Sequence, residues 1–471
     1  EIFWKLSAAV QSHEGRIENW EFKTISMLNS IKKLFPKNFI NFYHWVKAVF
    51  AAYYFGFPGN KLKVIGITGT NGKTTTCNLI AKILEEEGYK VGLATTINFQ
   101  IGRKKWVNET KMTTLSSWAT QSLLARMVKA KCRFAVLETS SHALVQHRVW
   151  GINYDIVGIT NITREHLDFH HNMEEYSDAK ELLFKNLTKG KLKNKNRKTL
   201  IVNLQDSSWR KFIKNKADRK YAFSLSRQSA IKLVKYPSVT FISVTDINLT
   251  PEGSTFIVHT PKYQKKISLK LPGKFNIQNA LLATCVARSL KIKLTTIKNA
   301  LAKIDLIPGR MEKIDLGQNF QVYIDYALTP DSLEKLYKDT IKPITPGRII
   351  AVFGATGDRD RGKRPIMGET ISNHADIVIL THEDSWTEDP QSIINEIIPG
   401  IEKTGKKLNK DYFIIINRRE AIHKALTLAK KNDSVIITGK GAETKMVYPD
   451  HTIPWNERRI TEELIKEIIQ I

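Results

Sequence analysis

The stretch GITGTNGKTTT at residues 66–76 has the pattern of a phosphate-binding loop. The apolar run LKVI precedes it and the helix-like run CNLIAKILEEEGYK follows it, so the loop joins a predicted strand to a predicted helix. In such a loop, backbone N–H groups and the positive end of the helix converge on phosphate oxygens, while a lysine reaches the terminal phosphates and a hydroxyl holds magnesium. Gly69, Gly72, Lys73 and Thr74 supply these parts, although Ile67 stands where the usual pattern has its first glycine.

Strand-like and helix-like segments alternate from this loop onward, which is typical of a parallel α/β sheet. The chain has 471 residues, enough for about three domains. The predicted strands of the first sheet are LKVIGI at 62–67, FAVLE at 134–138, YDIVGIT at 154–160 and KTLIVN at 198–203. Shorter strand-like runs and the helix FNIQNALLATCVARSL then lead to IPGR at 307–310. We therefore predict a central P-loop ATPase-like parallel-sheet domain over residues 61–306.

The alternation of strands and helices resumes beyond IPGR. The predicted strands there are QVYIDY, RIIAVFG, ADIVILT, YFIIIN and DSVIITG, and a helical segment separates each from the next. This pattern predicts a C-terminal Rossmann-like doubly wound domain over residues 307–471.

Residues 1–60 lack a strand pattern, and we predict a short helical N-terminal segment. Aromatic and apolar side chains recur at helical spacing within residues 39–57, and Asn41, His44 and Lys47 fall on the opposite stripe. Two interpretations stay open: this helix packs on the protein, or it lies in a membrane interface. Whether residues 1–26 belong to the native protein also stays open, because the chain begins at a glutamate.

Composition and charge indicate a globular enzyme, expected in the cytoplasm. The chain is 42% hydrophobic and 25% charged, and its beginning has no secretory signal pattern. The formal net charge is +27, but the lysines are scattered, and the dense run KGKLKNKNRK at 189–198 is predicted to be a solvated loop. No nucleic-acid-binding motif accompanies them, so we predict no nucleic-acid partner. Cys77, Cys132 and Cys285 are isolated and are predicted to be buried small hydrophobic residues.

Further segments, in order along the chain, resemble the ATP-dependent Mur ligase family, and in particular its MurE-like members. These segments are TGTNGKTTT at 68–76, LETSSHALVQHRV at 137–149, TNITREHLDFHHNMEEYSDAKELLF at 160–184, LPGKFNIQNALLA at 271–283, GRMEKI at 309–314, DYALTPDSLEKL at 325–336 and GATGDRDRGKRPIMGE at 354–369. The resemblance covers residues 62 to about 460. It implies a ligase that adds an amino acid to an acidic muramoyl-peptide precursor of the cell wall, after ATP has converted the terminal carboxylate of the peptide into an acyl phosphate.

The resemblance also implies which residues bind ATP and Mg²⁺, the expected cofactors. The implied nucleotide-binding residues are Gly69, Thr70, Asn71, Gly72, Lys73, Thr74, Thr75, Asn276, Asn279, Arg310 and Asp325. The implied metal site consists of Thr74, Glu138, His166 and Lys180, and the implied catalytic residues are Lys73, Lys180, Glu138 and His166. Lys180 matches a family lysine that is carbamylated to become anionic, whereas without the resemblance it would be an ordinary solvated lysine.

The resemblance implies a third set of residues, which bind the two substrates. They are Thr113, Thr114, Ser140, Gln146, Arg148, Arg359, Gly439 and Glu443. An arginine suits a carboxylate or a phosphate because its planar fork donates two parallel hydrogen bonds. For Ser140 and Gln146 another interpretation stays open, in which they only satisfy the backbone of a turn. His142 and His147 are given no catalytic role.

The sequence departs from the family pattern at the expected amino-acid pocket. Members specific for meso-diaminopimelate carry Asp-Asn-Pro-Arg ahead of Glu-Asp-Pro, and the arginine clamps the distal carboxylate of the amino acid. This chain has EDSWTEDP at 383–390, with Trp386 in place of that arginine, and an indole cannot form the bidentate pair. Leu328 and Ala442 also replace histidines of the family pattern. The sequence therefore predicts that an amino acid without a second carboxylate is added.

The N-terminal segment is a second departure, because residues 1–60 are too few and wrongly patterned for the family's uridine-diphosphate-binding domain. We expect the acceptor to be presented differently, for example on a lipid at a membrane surface that residues 39–57 would contact. Two alternative functions stay open. One is a polyglutamate- or cyanophycin-type ligase, which the segments SSHALVQHRV and GDRDRGKRP disfavour. The other is a non-catalytic basic module that uses ATP as a switch.

Overall fold

The computed structural model describes residues 37–188 and 197–469. The predictions for residues 1–36, and for most of the lysine-rich run at 189–198, fall outside these ranges.

A long mixed sheet forms the central part of the molecule. Its strands are β1 (Lys63–Thr68), β2 (Val91–Ala94), β3 (Asn98–Ile101), β4 (Lys104–Val107), β5 (Phe134–Glu138), β6 (Tyr154–Ile159), β7 (Thr199–Asn203), β8 (Arg219–Ser224), β9 (Val239–Thr250), β10 (Gly253–His259) and β11 (Gln264–Leu269). They lie in the order β11-β10-β9-β8-β7-β6-β1-β5-β2-β3-β4. Pairing is parallel from β9 across to β2 and antiparallel among β9, β10 and β11 and among β2, β3 and β4.

The parallel centre predicted from the sequence is confirmed, and the antiparallel edges add to it. The sequence did not reveal β2, β3 and β4, which have four residues each and are too short for periodicity to identify. It also did not reveal β8. All three cysteines are buried and free, as predicted.

Helices cover both faces of this sheet. They are α1 (Lys37–Tyr54), α2 (Lys73–Glu86), α3 (Ser117–Lys129), α4 (Ser141–Val145), α5 (Leu167–His170), α6 (Met173–Lys185), α7 (Trp209–Ile213), α8 (Lys274–Ser289) and α9 (Leu294–Ala302). Successive residues of β1 point to opposite faces: Ile65 packs among residues of α2 and α8, and Val64 packs among residues of α3. Because both faces are buried, β1 reads as a continuous apolar run.

A second sheet lies in the C-terminal part of the chain. Its strands are β12 (Glu312–Ile314), β13 (Gln321–Asp325), β14 (Ile349–Phe353), β15 (Ile377–Leu380), β16 (Tyr412–Ile414) and β17 (Ser434–Thr438). Their order is β12-β13-β17-β14-β15-β16, with β12 antiparallel and the others parallel, so the predicted doubly wound arrangement is confirmed. A separate hairpin pairs β18 (Lys445–Val447) with β19 (Thr452–Pro454).

Helices also flank the second sheet. They are α10 (Pro330–Leu336), α11 (Lys342–Ile344), α12 (Arg364–Ser372), α13 (Pro390–Glu402), α14 (Arg418–Leu428) and α15 (Glu457–Ile469), and a π-helical turn (Tyr337–Ile341) joins α10 to α11. The connection between the two sheets runs from the end of α9 to the start of β12, and the boundary proposed at residues 306/307 falls within it.

Helix α1 packs against α3 through small residues, and its aromatic stripe faces outward. Ala48, Ala51 and Ala52 have no exposed surface, whereas Phe50 is 63% exposed and its ring stacks on Trp118 of α3 at 6.1 Å. The alanines allow the helix to approach the rest of the protein closely, since a methyl-sized side chain leaves little gap to fill. Among the described residues, no helix combines the length and apolarity that crossing a membrane requires.

Candidate active site

The phosphate-binding loop lies at the carboxyl ends of three neighbouring parallel strands. Strand β1 pairs with β5 on one side and with β6 on the other, so that Ile67 lies opposite Glu138 and Thr68 lies opposite Ile159. The residues that follow these strands therefore meet at one edge of the sheet, where open α/β sheets bind their ligands.

Two glycines allow the loop to adopt its shape. Gly69 has a φ of 140° and Gly72 a φ of 82°. A Cβ atom on Gly72 would lie 2.3 Å from Oδ1 of Asn279, and one on Gly69 would lie 1.9 Å from the Thr160 hydroxyl oxygen. Any larger residue would displace a neighbour, so glycine is required at both positions. Helix α2 begins immediately afterwards, at Lys73, and directs its positive end toward the loop.

Lys73, Thr74 and Glu138 form a compact polar group behind the loop. Nζ of Lys73 donates a hydrogen bond to the Thr70 carbonyl at 2.8 Å. Burial lowers the pKa of Lys73, and the charge of Glu138 partly offsets this effect. The Thr74 hydroxyl donates to Glu138 at 2.9 Å, and Thr96 donates to the same carboxylate through its backbone N–H and its hydroxyl, each at 2.9 Å. The carboxylate is thus held beside the Thr74 hydroxyl.

The C-terminal domain supplies a second cation to this group. Nη2 of Arg310 lies 3.5 Å from the Thr74 hydroxyl oxygen, and the guanidinium stacks over the ring of Tyr326 at 4.6 Å. Asp325 is buried nearby and accepts two backbone N–H groups at 2.8 Å. Burial raises the pKa of Asp325, and Arg310 opposes that rise. Positive charge from both domains therefore meets at the loop.

A cavity of about 260 Å³ lies between the two domains. The predicted site residues that line it are Thr70, Asn71, Gly72, Lys73, Thr74, Thr75, Thr113, Glu138, His166, Asn279, Arg310, Asp325, Arg359 and Glu443. The predicted site residues outside its lining are Gly69, Thr114, Ser140, Gln146, Arg148, Lys180, Asn276 and Gly439.

Lys180 is buried, and His166 is partly buried, close to the loop. Nδ1 of His166 has no hydrogen-bond partner among the described residues, and the residue has a positive φ of 56°. Burial, reinforced by His142 and Lys180, lowers the pKa of His166, which favours the neutral imidazole. Nζ of Lys180 donates to the Gly69 carbonyl at 2.8 Å and lies 4.2 Å from the ring centroid of Tyr176. Burial, followed by repulsion from the Lys73 ammonium, moves the pKa of Lys180 well below its ordinary value.

Asn276 and Asn279 lie on the face of α8 that meets the loop. Nδ2 of Asn276 donates to the Pro272 carbonyl at 2.8 Å, which ties the first turn of α8 to the segment that precedes the helix. Asn279 donates to Oδ1 of Asn276 at 3.3 Å and accepts from the Thr76 hydroxyl at the same distance. Asn279 thus ties α8 to the first turn of α2 and also lines the cavity.

The residues predicted to hold the acceptor form one network beside Glu138. The Thr114 hydroxyl donates to the Glu138 carbonyl at 2.9 Å and accepts from the Ser140 N–H at 3.0 Å. Arg148 donates to the Thr114 carbonyl at 3.1 Å and to the side-chain carbonyl of Gln146. The Ser140 hydroxyl also caps α4. The Ser140 side chain therefore satisfies local backbone, as the turn interpretation expects, whereas the Gln146 side chain bonds the Arg148 side chain. Thr113 is the member of this group that lines the cavity.

The residues predicted to hold the amino acid lie on the opposite wall, in the C-terminal domain. Nζ of Lys440 lies 2.8 Å from Asp384 and 2.5 Å from Glu443. Burial alone would lower the pKa of Lys440, but the two carboxylates raise it above its ordinary value. Burial, together with the Asp384 charge, raises the pKa of Glu383 to about 7. A Cβ atom on Gly439 would lie 3.1 Å from Cγ of Glu383, so glycine keeps this wall closely packed.

Sequence reasoning missed the ion pairs that join the two domains around the cavity. Nζ of Lys111 lies 2.5 Å from Asp384, Lys363 lies 3.5 Å from Glu165, and Arg164 lies 3.4 Å from Asp360. The partners are about 200 or more residues apart in sequence, so no local spacing signals them. Such pairs become visible only when the three-dimensional arrangement of the two domains is known.

Two family models match the chain over most of its length. The model described as the Mur ligase middle domain matches residues 67–287. The model described as the Mur ligase, glutamate ligase domain matches residues 309–441.

Two named ligases are similar in sequence to this chain across both domains. The UDP-N-acetylmuramoyl-L-alanyl-D-glutamate--2,6-diaminopimelate ligase of Clostridium botulinum is 39% identical over 425 residues, which cover 89% of this chain and 81% of that protein. The UDP-N-acetylmuramyl-tripeptide synthetase of Roseiflexus is 38% identical over 415 residues, which cover 87% of this chain and 80% of that protein.

Solved structures share the fold. A structure of a UDP-N-acetylmuramoyl-L-alanyl-D-glutamate--2,6-diaminopimelate ligase has a TM-score of 0.58 and 30% identity, and covers 87% of this chain and 79% of that chain. A folylpolyglutamate synthase of Mycobacterium tuberculosis, complexed with ADP, has a TM-score of 0.60 but only 16% identity, over 88% of this chain and 96% of that chain. The second likeness concerns the fold alone. The family models and the identity to these relatives show that the chain belongs to the Mur ligase family.

Proposed function

We propose that this protein is an ATP-dependent amide ligase that adds one amino acid to the peptide of a muramoyl-peptide precursor of the cell wall. Lys73 of the phosphate-binding loop and Arg310 of the C-terminal domain line one cavity together with Glu138, and this arrangement is the main support for the proposal. Membership of the Mur ligase family supports this reaction, as does 39% identity to a ligase named for a muramoyl-dipeptide acceptor.

The reaction requires positive charge at the point where the two domains meet. A carboxylate is a poor electrophile, so ATP first converts it into an acyl phosphate, and the amine then displaces phosphate. The negative acceptor and the phosphates repel each other unless cations are placed between them. Lys73 and Arg310 supply fixed positive charge there, and Asn276, Asn279 and Asp325 would flank the remainder of the nucleotide.

The polar residues beside the loop fit a magnesium ion. Within the described residues, no three His, Cys, Asp or Glu side chains cluster in a metal-holding arrangement. Mg²⁺ seldom needs such a cluster, because it is commonly bound by one or two carboxylates with water and phosphate oxygens. Glu138, the Thr74 hydroxyl and the unpartnered nitrogen of the neutral His166 would hold it. A bound magnesium ion would neutralise part of the negative charge of the phosphates.

Lys180 is suited to carbamylation. Its amine attacks carbon dioxide only when uncharged, and burial together with the Lys73 ammonium favours the uncharged form by lowering the pKa of Lys180. The N–C bond forms as the amine loses a proton, which leaves an anion. We propose that this anion positions the magnesium ion together with Glu138 and His166.

The two substrates would enter from opposite walls of the cavity. Thr113 faces it from the central domain, and Thr114, Ser140, Gln146 and Arg148 support that wall and would hold the acidic peptide. Arg359, Gly439 and Glu443 belong to the C-terminal wall and would hold the amino acid. Arg359 suits its α-carboxylate because a guanidinium pairs with a carboxylate in a planar fork.

Two rival functions predict different products. A polyglutamate-type ligase would extend an acceptor with glutamate, and a non-catalytic ATP switch would form no amide. The deciding experiment is incubation with ATP, a muramoyl-dipeptide and a mixture of amino acids, followed by mass spectrometry of the products. A product lengthened by one amino acid, with phosphate release that depends on both acceptor and amine, supports the wall ligase. Phosphate release independent of both supports the switch.

We also propose that the acceptor is presented at an anionic membrane surface, which α1 contacts. Phe42 is 59%, Phe50 63%, Tyr53 68% and Tyr54 66% exposed on one outward side of this helix. An exposed aromatic patch of this kind is unusual in a monomeric protein, and aromatic rings partition well into the headgroup region. The net charge of +27 adds attraction to anionic headgroups.

Replacing Lys73 with alanine should lower the ligation rate by about a thousandfold or more, because no other group in the loop can neutralise the transferred phosphate. The rate is measured by acceptor-dependent phosphate release, and folding by circular dichroism. Lys82→Ala, on the same helix but outside the cavity lining, serves as the matched control and should keep its activity. Near-normal turnover of Lys73→Ala would contradict the assigned role.

Replacing Lys180 with alanine should also reduce ligation severely, and short carboxylates such as acetate should restore part of the rate by filling the vacated anionic position. Lys185→Ala is the control, since Lys185 lies on the same helix with its ammonium paired to Glu181 at the surface. Labelled carbon dioxide, trapped chemically on the protein, should map to Lys180. A wild-type protein that carries no label there would exclude the carbamate.

Competition between L-lysine and meso-diaminopimelate should favour L-lysine, because Trp386 replaces the arginine that would clamp the distal carboxylate. The measurement is the ratio of the two products formed from an equimolar mixture. A strong preference for meso-diaminopimelate would overturn this expectation.

The protein should sediment with anionic phospholipid vesicles and be released at high salt. A triple change of Phe42, Trp45 and Phe50 to serine should abolish sedimentation while the protein stays folded by circular dichroism, because the buried alanines of α1 are kept. Serine at Ile231 and Val234, which are exposed elsewhere on the surface, provides the control. If the wild type stays in the supernatant, α1 has no membrane role.

A further inference from the structure

The amino-acid side of the cavity contains a cation that comes from the opposite domain. Lys111 lies between β4 and α3, and its Nζ is 2.5 Å from Oδ2 of Asp384 and 3.3 Å from Oε2 of Glu443. Its ammonium also lies over the ring of Trp386, 5.7 Å from the centroid. Lys111, Asp384, Trp386 and Glu443 all line the cavity.

Two lysines and two carboxylates, Lys111, Lys440, Asp384 and Glu443, form a cluster in which each lysine contacts both carboxylates. Lys440 pairs with the same two carboxylates from the other side, at 2.8 Å to Asp384 and 2.5 Å to Glu443. Lys440 has no exposed side-chain surface, whereas Lys111 is 21% exposed. Lys440 is therefore fixed in the wall, and Lys111 is the cation that can leave.

Backbone geometry sets Lys111 and Trp386 apart from an ordinary surface contact. Lys111 has a φ of 53° and Trp386 a φ of 52°, both in the left-handed region that residues with a Cβ atom avoid. Two such residues face each other across the cleft. Backbone strain of this kind persists where the surrounding structure holds a residue in a required position, and it concentrates at ligand sites.

Charge balance indicates what would replace Lys111. If its ammonium moves away, Asp384 and Glu443 share the single cation of Lys440, and an under-neutralised carboxylate in a buried wall is costly. A ligand that carries a second carboxylate would worsen this balance. A ligand that carries a side-chain ammonium would restore it, and the Trp386 ring would contact its methylene stem or its charge.

We propose that Lys111 is a specificity-determining residue whose ammonium holds the place of the side-chain ammonium of the incoming amino acid. The substrate is then a diamino monocarboxylic acid, such as lysine or ornithine. Its distal ammonium displaces Lys111 from Asp384 and Glu443, while its α-amine remains free to attack. This inference rests on the proposed function and names the substrate class of the same site.

The test compares Lys111→Met, which keeps the stem but removes the charge, with Lys111→Arg, which keeps the charge. Isothermal titration calorimetry with L-lysine, L-norleucine and meso-diaminopimelate is carried out in parallel with steady-state kinetics. Removing the competing ammonium should tighten L-lysine binding and lower its KM about tenfold, a change typical of one lost competing ion pair. The KM for ATP should not change. Lys111→Arg should bind L-lysine as weakly as the wild type, and Lys104→Met, on exposed β4, is the matched control.

Each outcome decides a separate point. If Lys111→Met weakens L-lysine binding, if L-norleucine binds the wild type as well as L-lysine does, or if L-lysine binds neither protein, the inference is wrong. If Lys111→Met instead loses binding of meso-diaminopimelate that the wild type had, Lys111 is a clamp for a distal carboxylate and the inference is also wrong. If the binding pattern is as expected but no amide forms with a muramoyl-dipeptide, the proposed reaction fails and the assigned subsite stands.

Discussion

The parallel pairing of β1 with both β5 and β6 is the constraint on which the site depends. Because three neighbouring strands end at one edge, the phosphate-binding loop, Glu138 and the turn after β6 are brought together without any long-range connection of their own. The close contact of Gly72 with Asn279 then fixes α8 against the loop. A slip of one residue in the β1–β5 register would turn Glu138 to the other face of the sheet and away from Thr74.

The second domain completes the site rather than merely covering it. The central domain supplies Lys73 and Glu138, and Arg310 adds a further cation from across the cleft. The residues of the amino-acid wall come almost entirely from the C-terminal domain, and Lys111 is the exception. Chemistry at this cavity therefore requires the two domains to be held together, and the cavity exists only in that arrangement.

Local patterns in the sequence predicted much of the fold. Strand β5 was predicted at its observed bounds, and α8 within one residue of them, because each has a continuous apolar or helical period and clear ends. Strands β2, β3 and β4 were missed because four residues give too little periodicity. The sequence also did not predict which face of α1 packs on the protein. Aromatic residues dominate the hydrophobic pattern of this helix, but the residues buried against the protein are alanines such as Ala51.

Local patterns predicted the site less completely than they predicted the fold. The pattern of Gly72, Lys73 and Thr74 could be recognised because it depends on adjacent positions in the chain, and all three residues line the cavity. Lys111 could not, because its partner Asp384 is 273 residues away and the contact follows from how two separate sheets are placed. The pKa of Lys180 likewise depends on burial, which its position on an amphipathic helix does not reveal.

The ion pairs between the domains differ in their contact with water, and this gives ionic strength a graded effect on the closed arrangement. The side chain of Arg164 is 47% exposed, that of Lys111 21% and that of Lys363 only 6%. Dissolved salt screens exposed charges over about 8 Å at physiological concentration and reaches buried pairs much less. Increasing salt should therefore screen the Arg164 contact most and the Lys363 contact least, so that the ion pairs between the domains weaken in a graded order.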